Sequence, residues 1–518
     1  MNAIVEFERQ WLMYAQEGVC FALSTILLLF IYPKNRNMIS DFYVIVVWTF
    51  ILCGGKEAIY GLLQIYDLAS SNHSLFKLTG SFLNPGPYSG YLAIVFPICL
   101  FECLRLNKIK VPTFVQRVGF YLSGSVLVLI LCILLAGISR SAWMAVIVSS
   151  LWICGKYYSW KTKLKKVWEL HRLSVIGIIG VGLIVLLIAG VIVFDLKKNS
   201  ANGRFFMWKI GCLAVKHRPL GYGVGRFVYA YGKEQEMYFS QGRYSSQEEF
   251  VAGSPEYAFN EYLQVAIEQG IVFLLLMLFV IGKCLCLGIK KNRLGICGGG
   301  ISLMVFAFSS YPMQIPTLAI SSIFLIMTCV IGSSRVGMCF FALLIGSMSF
   351  YIWKYNVYDE CKEWENTHVL YDMGAYESAK AGYRKLYPTL KNRGTFLFEY
   401  GHTLHKLKEY SVSTAILQEA IYYSSDPMIL NIIGKNYQRQ KKYNIAERYF
   451  IRSIHRLPGR IYPYYLLAKL YAESGAVEKM REMAELVLTK EPKVPSTAIE
   501  EMKQEVEILM KESFESVY

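Results

Sequence analysis

Apolar residues fill the first two thirds of the chain in long runs, while the last third spaces them among charges. A helix needs about 20 mostly apolar residues to cross a bilayer. Windows of that kind fall near 12–32, 42–66, 87–104, 118–136, 141–155, 174–194, 262–282, 294–311, 315–332 and 336–353, which predicts about ten spans. From residue 359 onward the pattern is that of paired amphipathic helices. Gly401, Gly434 and Ala468 stand 33 and 34 residues apart, with Leu404, Tyr437 and Tyr471 three residues beyond each. Small residues follow at Ser413 and Ala446, and Pro458 and Pro492 close two units.

A period of 34 residues with small residues at helix crossings resembles the tetratricopeptide repeat. Three units are visible, and Ala379 to Pro388 reads as the second helix of a partial earlier one. The expected fold is therefore all-α. A polytopic membrane bundle over 1–358 carries a long loop at 195–261, and an α-solenoid follows over 359–518. Solenoids present extended concave surfaces, which implies a protein partner.

Composition sharpens this division. Residues 1–358 hold 31 Lys and Arg against 16 Asp and Glu, whereas 359–518 hold 23 against 22. The positive excess belongs to the apolar part, the opposite of a soluble nucleic-acid-binding surface. Counted by loop, 17 basic residues alternate with 2: Lys77 and Arg140 are alone on one side. The positive-inside rule puts the 17 in the cytoplasm. The 67–86 loop, the turn at Arg140, the 195–261 loop and the tail then share the opposite side. Glu6, Glu8 and Glu17 precede the first run, the wrong charge for a signal peptide, so that segment is expected to stay attached. Most of the 13 cysteines lie in apolar runs without a Cys-x-x-Cys pair, which disfavours zinc ribbons and thioredoxin-type chemistry.

Candidate chemistry concentrates opposite the basic loops. No Gly-x-x-x-x-Gly-Lys-Ser/Thr segment exists to cradle a nucleotide, and GYGVG at 221–225 reads as a flexible turn. Arg140, in GISRSAW (137–143), lies where two spans meet, a costly place for a charge that neither snorkels nor meets an anion. Arg204 and Trp208 stand four apart in NGRFFMWKI, and His217 follows; taken alone, Arg204 reads as a solvated loop charge. His402 and His405 read as ordinary helix-face residues. Ser254, Pro255 and Glu256 predict a helix start. Such a helix would place Glu256, Phe259, Asn260 and Leu263 on one face, and Tyr257, Glu261, Gln264 and Glu268 on a second, polar stripe.

Ser-Arg-x-x-Trp (139–143), Asn-Gly-Arg-x-x-x-Trp (202–208), His-x-Pro-Leu-Gly-x-Gly (217–223) and Asn-Glu-Tyr-Leu-Gln-x-x-x-Glu-x-Gly (260–270) occur in that order. The series resembles the O-antigen ligase/polymerase superfamily over roughly residues 75–330. The resemblance implies a GT-C-like membrane glycosyltransferase of the bacterial inner membrane. Its donor would be a glycan on undecaprenyl diphosphate, and its acceptor a hydroxyl of a lipid or protein outside the cytoplasm. No nucleotide, metal or other cofactor is implied. By position in the motifs, Arg140 and Arg204 take the diphosphate, for which guanidinium forks are suited. Trp208, His217 and Tyr257 are supporting candidates. The family's usual His before the Asn of the last motif is Phe259 here, so Glu256, Glu261 and Asn260 become the candidates around the acceptor hydroxyl. Transfer to protein Ser/Thr hydroxyls is the nearest alternative. A flippase or transporter is a rival class, although the chain lacks an evident inverted repeat. Phe259 also leaves open an inactive scaffold.

Overall fold

The computed structural model describes residues 4–6, 8–13, 15–16, 19, 38–137, 139–160, 198–331 and 335–515. Every regular element among them is helical. The expected span near 12–32 lies largely, and that near 174–194 wholly, outside the described residues.

The bundle begins with α1 (Met38–Ile65), α2 (Pro85–Asn107), α3 (Phe114–Gly137) and α4 (Arg140–Tyr157). An insert follows, made of α5 (Lys198–His217), α6 (Phe227–Ser240), the single turn-and-a-half α7 (Ser246–Val251) and α8 (Glu261–Gln269). The bundle resumes with α9 (Ile271–Lys290), α10 (Leu294–Ala307), α11 (Pro316–Val330) and α12 (Arg335–Lys354). Among the described residues α1, α2, α3 and α9 are long and apolar enough to cross a membrane, and α10 and α11 are shorter apolar helices. The span expected at 262–282 is corrected: Gly270, at φ 92°, ends α8, and the apolar helix starts at Ile271.

Sequence chemistry sets α2 at the centre. Asn84 accepts the Gly86 amide and Pro85 takes the first helical position, which fixes the start. From there α2 packs against α1, α3, α4 and α10. Glycines let α10 come close: a Cβ on Gly298 would stand 2.5 Å from Ile153, and one on Gly90 of α2 would stand 2.3 Å from Phe306. Small residues are what membrane helices use to approach one another. Ser302 Oγ donates to the Ala93 carbonyl at 2.6 Å across the same contact. Arg105, Lys156 and Lys290 fall in the last turns of α2, α4 and α9, at the ends away from Arg140. The 67–84 loop folds over the other ends, where Gln64 Oε1 accepts the Thr79 and Gly80 amides and Glu57 accepts the Ser81 amide.

The tail stacks helix pairs: α13 (Tyr358–Asp372) with α14 (Tyr376–Leu390), α15 (Gly394–Lys406) with α16 (Tyr410–Ala420), α17 (Pro427–Arg439) with α18 (Tyr443–Arg456), and α19 (Tyr462–Glu473) with α20 (Val477–Thr489). A last helix, α21 (Thr497–Glu515), closes the stack against α19 and α20. The small residues sit at helix crossings: a Cβ on Gly401 would meet Leu417 at 2.5 Å, and one on Gly434 would meet Phe450 at 2.4 Å. The first pair is complete rather than partial, because Trp364 and Cys361 of α13 are fully buried against the aromatic core.

The tail docks on the insert. Glu236 of α6 pairs with Arg452 and Arg456 of α18 at 2.7 and 2.8 Å. Tyr229 stacks on Tyr422, Lys490 pairs with Glu249 at 2.6 Å, and Arg226 Nη1 donates to the Tyr422 carbonyl. The insert and the tail therefore stand at the same end of the bundle.

Candidate active site

Helix α5 carries Arg204 and Trp208 one turn apart, on one face. Arg204 is thus a helical residue, which corrects its reading as a loop charge. Its Nη1 donates to the Ser309 carbonyl at 2.9 Å, just beyond α10. Ser309 Oγ donates to Ser141 Oγ at 2.7 Å, and Ser141 follows Arg140, the first residue of α4. Ser309 thereby joins the two arginine-bearing helix ends, 64 positions apart in sequence. Burial, then the positive charge of Arg140, hold the Arg204 guanidinium below its ordinary pKa. A second guanidinium beside the half-buried Arg204 makes this end of the bundle a place suited to an anion with paired oxygens.

The segment before α8 is corrected most. Residues 252–260 are not helical. The helix starts at Glu261, with Asn260 as its cap and the Asn260 Oδ1 accepting the Leu263 amide at 3.0 Å. Ser254 instead donates to the Ser425 carbonyl of the tail. Phe259 takes φ 47°, a left-handed conformation that interrupts a helix. The two expected stripes do not form as such, because Glu256, Tyr257 and Phe259 all precede the cap. The extended segment has its own work. Trp208 Nε1 donates to the Ala258 carbonyl at 3.1 Å, and the Ala258 amide donates to Gln264 Oε1 at 3.2 Å. Tyr257 stacks on Tyr311 at 5.1 Å between ring centroids. The Phe259 ring meets Tyr311 edge-on at 5.0 Å and lies 5.4 Å from the Arg204 guanidinium. At position 259, where the resemblance led to an expectation of His, this chain has an aromatic face beside a cation.

The two carboxylate candidates differ sharply. Glu256 is exposed. Glu261 is only 7% exposed, accepts the Met313 amide at 3.4 Å, and is pushed up to about 7, mainly by burial. His217 is not brought to the arginines. Thirteen residues along α5 from Arg204 put it ~20 Å away at 1.5 Å per residue, and its Nδ1 lies 2.7 Å from buried Glu234. Among the described residues no three His, Cys, Asp or Glu side chains gather in a way that could hold a metal ion.

Several residues here escape a sequence reading. Ser309 and Tyr311 sit between apolar helices with nothing in their spacing to mark them. GYGVG is not a flexible turn: the Tyr222 and Gly223 amides donate to the Ile267 and Glu268 carbonyls, and the Gly225 amide donates to Glu268 Oε2. That clamp fastens the loop to α8. The chemical cue was present, since Gly221, Gly223 and Gly225 all take positive φ, but the partner at Glu268 lies 43 residues from Gly225.

The search among curated proteins returned no match. Residues 125–279 match the family model described as O-Antigen ligase. That stretch contains Arg140, Ser141, all four insert helices and the Asn260 cap, and it stops short of Ser309 and Tyr311. The match and the apolar helices together support a membrane enzyme that carries out glycosyl transfer of the O-antigen ligase type.

Proposed function

We propose that the chain transfers a glycan from a polyprenyl diphosphate, undecaprenyl diphosphate in bacteria, to an acceptor hydroxyl on the extracytoplasmic face of the inner membrane. The observation that carries this reading is the meeting of Arg140 and Arg204 around Ser309 at the insert end of the bundle. In the transfer, the acceptor oxygen bonds to the anomeric carbon as the bond from that carbon to the diphosphate oxygen breaks. Negative charge grows on the leaving diphosphate, and fixed cations placed there act most strongly in the transition state. Arg140 and Arg204 take that role. The polyprenyl chain stays in the bilayer beside the apolar helices while its head group rises to the helix ends.

Glu256 is the residue we assign to take the hydroxyl proton, because it is exposed where an acceptor can reach it. Glu261, sealed beneath the 311–314 turn, positions that turn instead. Asn260, Trp208 and Tyr257 hold the 252–260 segment against α5 and Tyr311, and the cycle involves neither nucleotide nor metal. The stacked helix pairs are read as tetratricopeptide repeats that hold an acceptor or partner beside the insert. The 17-to-2 loop asymmetry and the docking of tail on insert support an extracytoplasmic tail.

Glycan analysis of a deletion strain tests the reading in the cell. Loss of a surface glycan with accumulation of its lipid-linked precursor on the outer leaflet is the expected result. Precursor held on the cytoplasmic leaflet would mark a flippase instead.

A further inference from the structure

The tail uses its second helices and connecting turns to dock on the insert, through Arg452 and Arg456 of α18 and Tyr422 after α16. Its first helices, α13, α15, α17 and α19, pack on one another in succession, whereas the second helices do not meet to the same extent. Such a stack curves with the first helices on its inner side, so the docking on the insert leaves the inner face unused, and only its last helix, α19, is met by α21.

That inner face gathers positive charge from three consecutive first helices: Lys406 on α15, Lys435 and Arg439 on α17, and Lys469 on α19. Among the described residues only Lys469 has a carboxylate at ion-pair distance, Glu505 at 3.1 Å. Lys435 is half-buried, with its Nζ 3.5 Å from the Tyr462 hydroxyl. Burial together with the charges of Lys406, Arg439 and Lys469 lowers its pKa, so the cluster stores repulsion that an anion would relieve. Flat rings stand beside the cations. Phe398, His402 and His405 stack in sequence, each pair within 13° of parallel. Burial holds His402 down to about 4 and also lowers His405, so both imidazoles are neutral at pH 7. His405 Nδ1 lies 2.6 Å from Asn436 Oδ1. An imidazole that donates there keeps its other nitrogen as an acceptor for a hydroxyl.

Cations alone would suit any polyanion. A run of near-parallel aromatic and imidazole faces next to them suits sugar rings, whose apolar faces stack on π-systems while hydroxyls meet ring nitrogens. We propose that the inner groove of the tail binds an acidic saccharide chain, its carboxylates on Lys406, Lys435 and Arg439 and its sugar rings along Phe398, His402 and His405. The glycan class rests on the transfer function proposed above; the groove and its preference for anions do not.

The test uses the full chain in lipid nanodiscs and a fluorescein-labelled oligogalacturonate, with a neutral maltooligosaccharide and an oligoglutamate of equal length as comparisons. The expected result is saturable binding of oligogalacturonate that weakens with added salt and exceeds both comparisons. Lys435→Met, which keeps the buried stem, and Arg439→Gln, at an exposed position, should each weaken it about tenfold, the size of one lost charge-assisted contact. Absence of saturable binding, or binding by both variants as tight as the parent's, would overturn the proposal. Oligoglutamate binding as tightly would make the groove a site for acidic peptides and overturn it likewise. Donor consumption measured on the same preparations is a separate readout. Groove binding without transfer would count against the proposed function alone, and transfer without groove binding against the groove alone.

Discussion

A guanidinium that gives up water asks for a partner with the right shape as well as the right charge. Arg204 meets a carbonyl, a ring face and the field of a second arginine, and a diphosphate would satisfy it with paired oxygens. Lysine keeps the charge but loses the fork. Arg140→Lys and Arg204→Lys are therefore expected to retain membrane insertion and to transfer at a small fraction of the parent rate, measured as donor turnover in proteoliposomes. Glu256→Gln should slow turnover by about 10²-fold or more, the usual worth of a general base; equal turnover would remove it from that role. Glu261 makes a different prediction. Its folded pKa, about 7, lies above the ordinary 4.5, so the folded state binds the proton more tightly than the unfolded chain does. The stability this contributes is full below about pH 4.5 and is lost as pH rises through 7. Glu261→Gln should accordingly match the parent's unfolding midpoint near pH 5 and exceed the parent's stability at pH 8 by roughly 3 kcal/mol. Thermal unfolding in detergent at the two pH values checks it.

At the scale of elements, apolar length and helix punctuation were legible where the deciding signals are local. The spans near 42–66, 87–104 and 118–136 correspond to α1, α2 and α3, because a run of that length has only one way to satisfy its backbone in lipid. The start of α8 was not legible. Ser254, Pro255 and Glu256 carry the chemistry of a helix start, yet Asn260 carries it too. The choice is made by Trp208 and Ser425, which hold the preceding segment extended from elsewhere in the chain. The 219–227 loop shows the same limit, since its clamp on Glu268 is a long-range contact. Its tightest point is Gly221, at φ 88°, where a Cβ would stand 2.5 Å from the Glu268 carbonyl oxygen and 2.7 Å from the Gly270 nitrogen. Gly221→Ala should cost about 2 kcal/mol or more. It should also raise hydrogen exchange across 219–227 and 266–271 together, since the two segments are held as one unit.

For the whole molecule, the all-helical character and the apolar helices were readable from charge and hydropathy. The docking of tail on insert was not, because it depends on single charges such as Glu236 and Arg456 that look like ordinary helix-face residues in sequence. Arg456 is nearly fully buried. Removing one partner of a buried pair costs more than the pair itself contributes, so Glu236→Ala should destabilise the docked tail by about 3 kcal/mol. Glu236→Leu with Arg456→Met should recover much of that, as read by protease cleavage between insert and tail. Cys361 is fully buried, which makes it unsuitable for reporting sidedness. Exposed Cys212 of the insert and a Glu473→Cys variant serve instead, and an impermeant thiol reagent should label both from the periplasmic side. The transfer chemistry itself is tested most directly with purified chain in proteoliposomes, supplied with a polyprenyl-diphosphate-linked glycan and an acceptor glycolipid. If the arginine pair carries the diphosphate, the parent chain releases polyprenyl diphosphate as the glycan moves to the acceptor, and Arg204→Ala, equally well inserted, does neither. Equal transfer by Arg204→Ala, or a parent chain that leaves the donor intact, would contradict it.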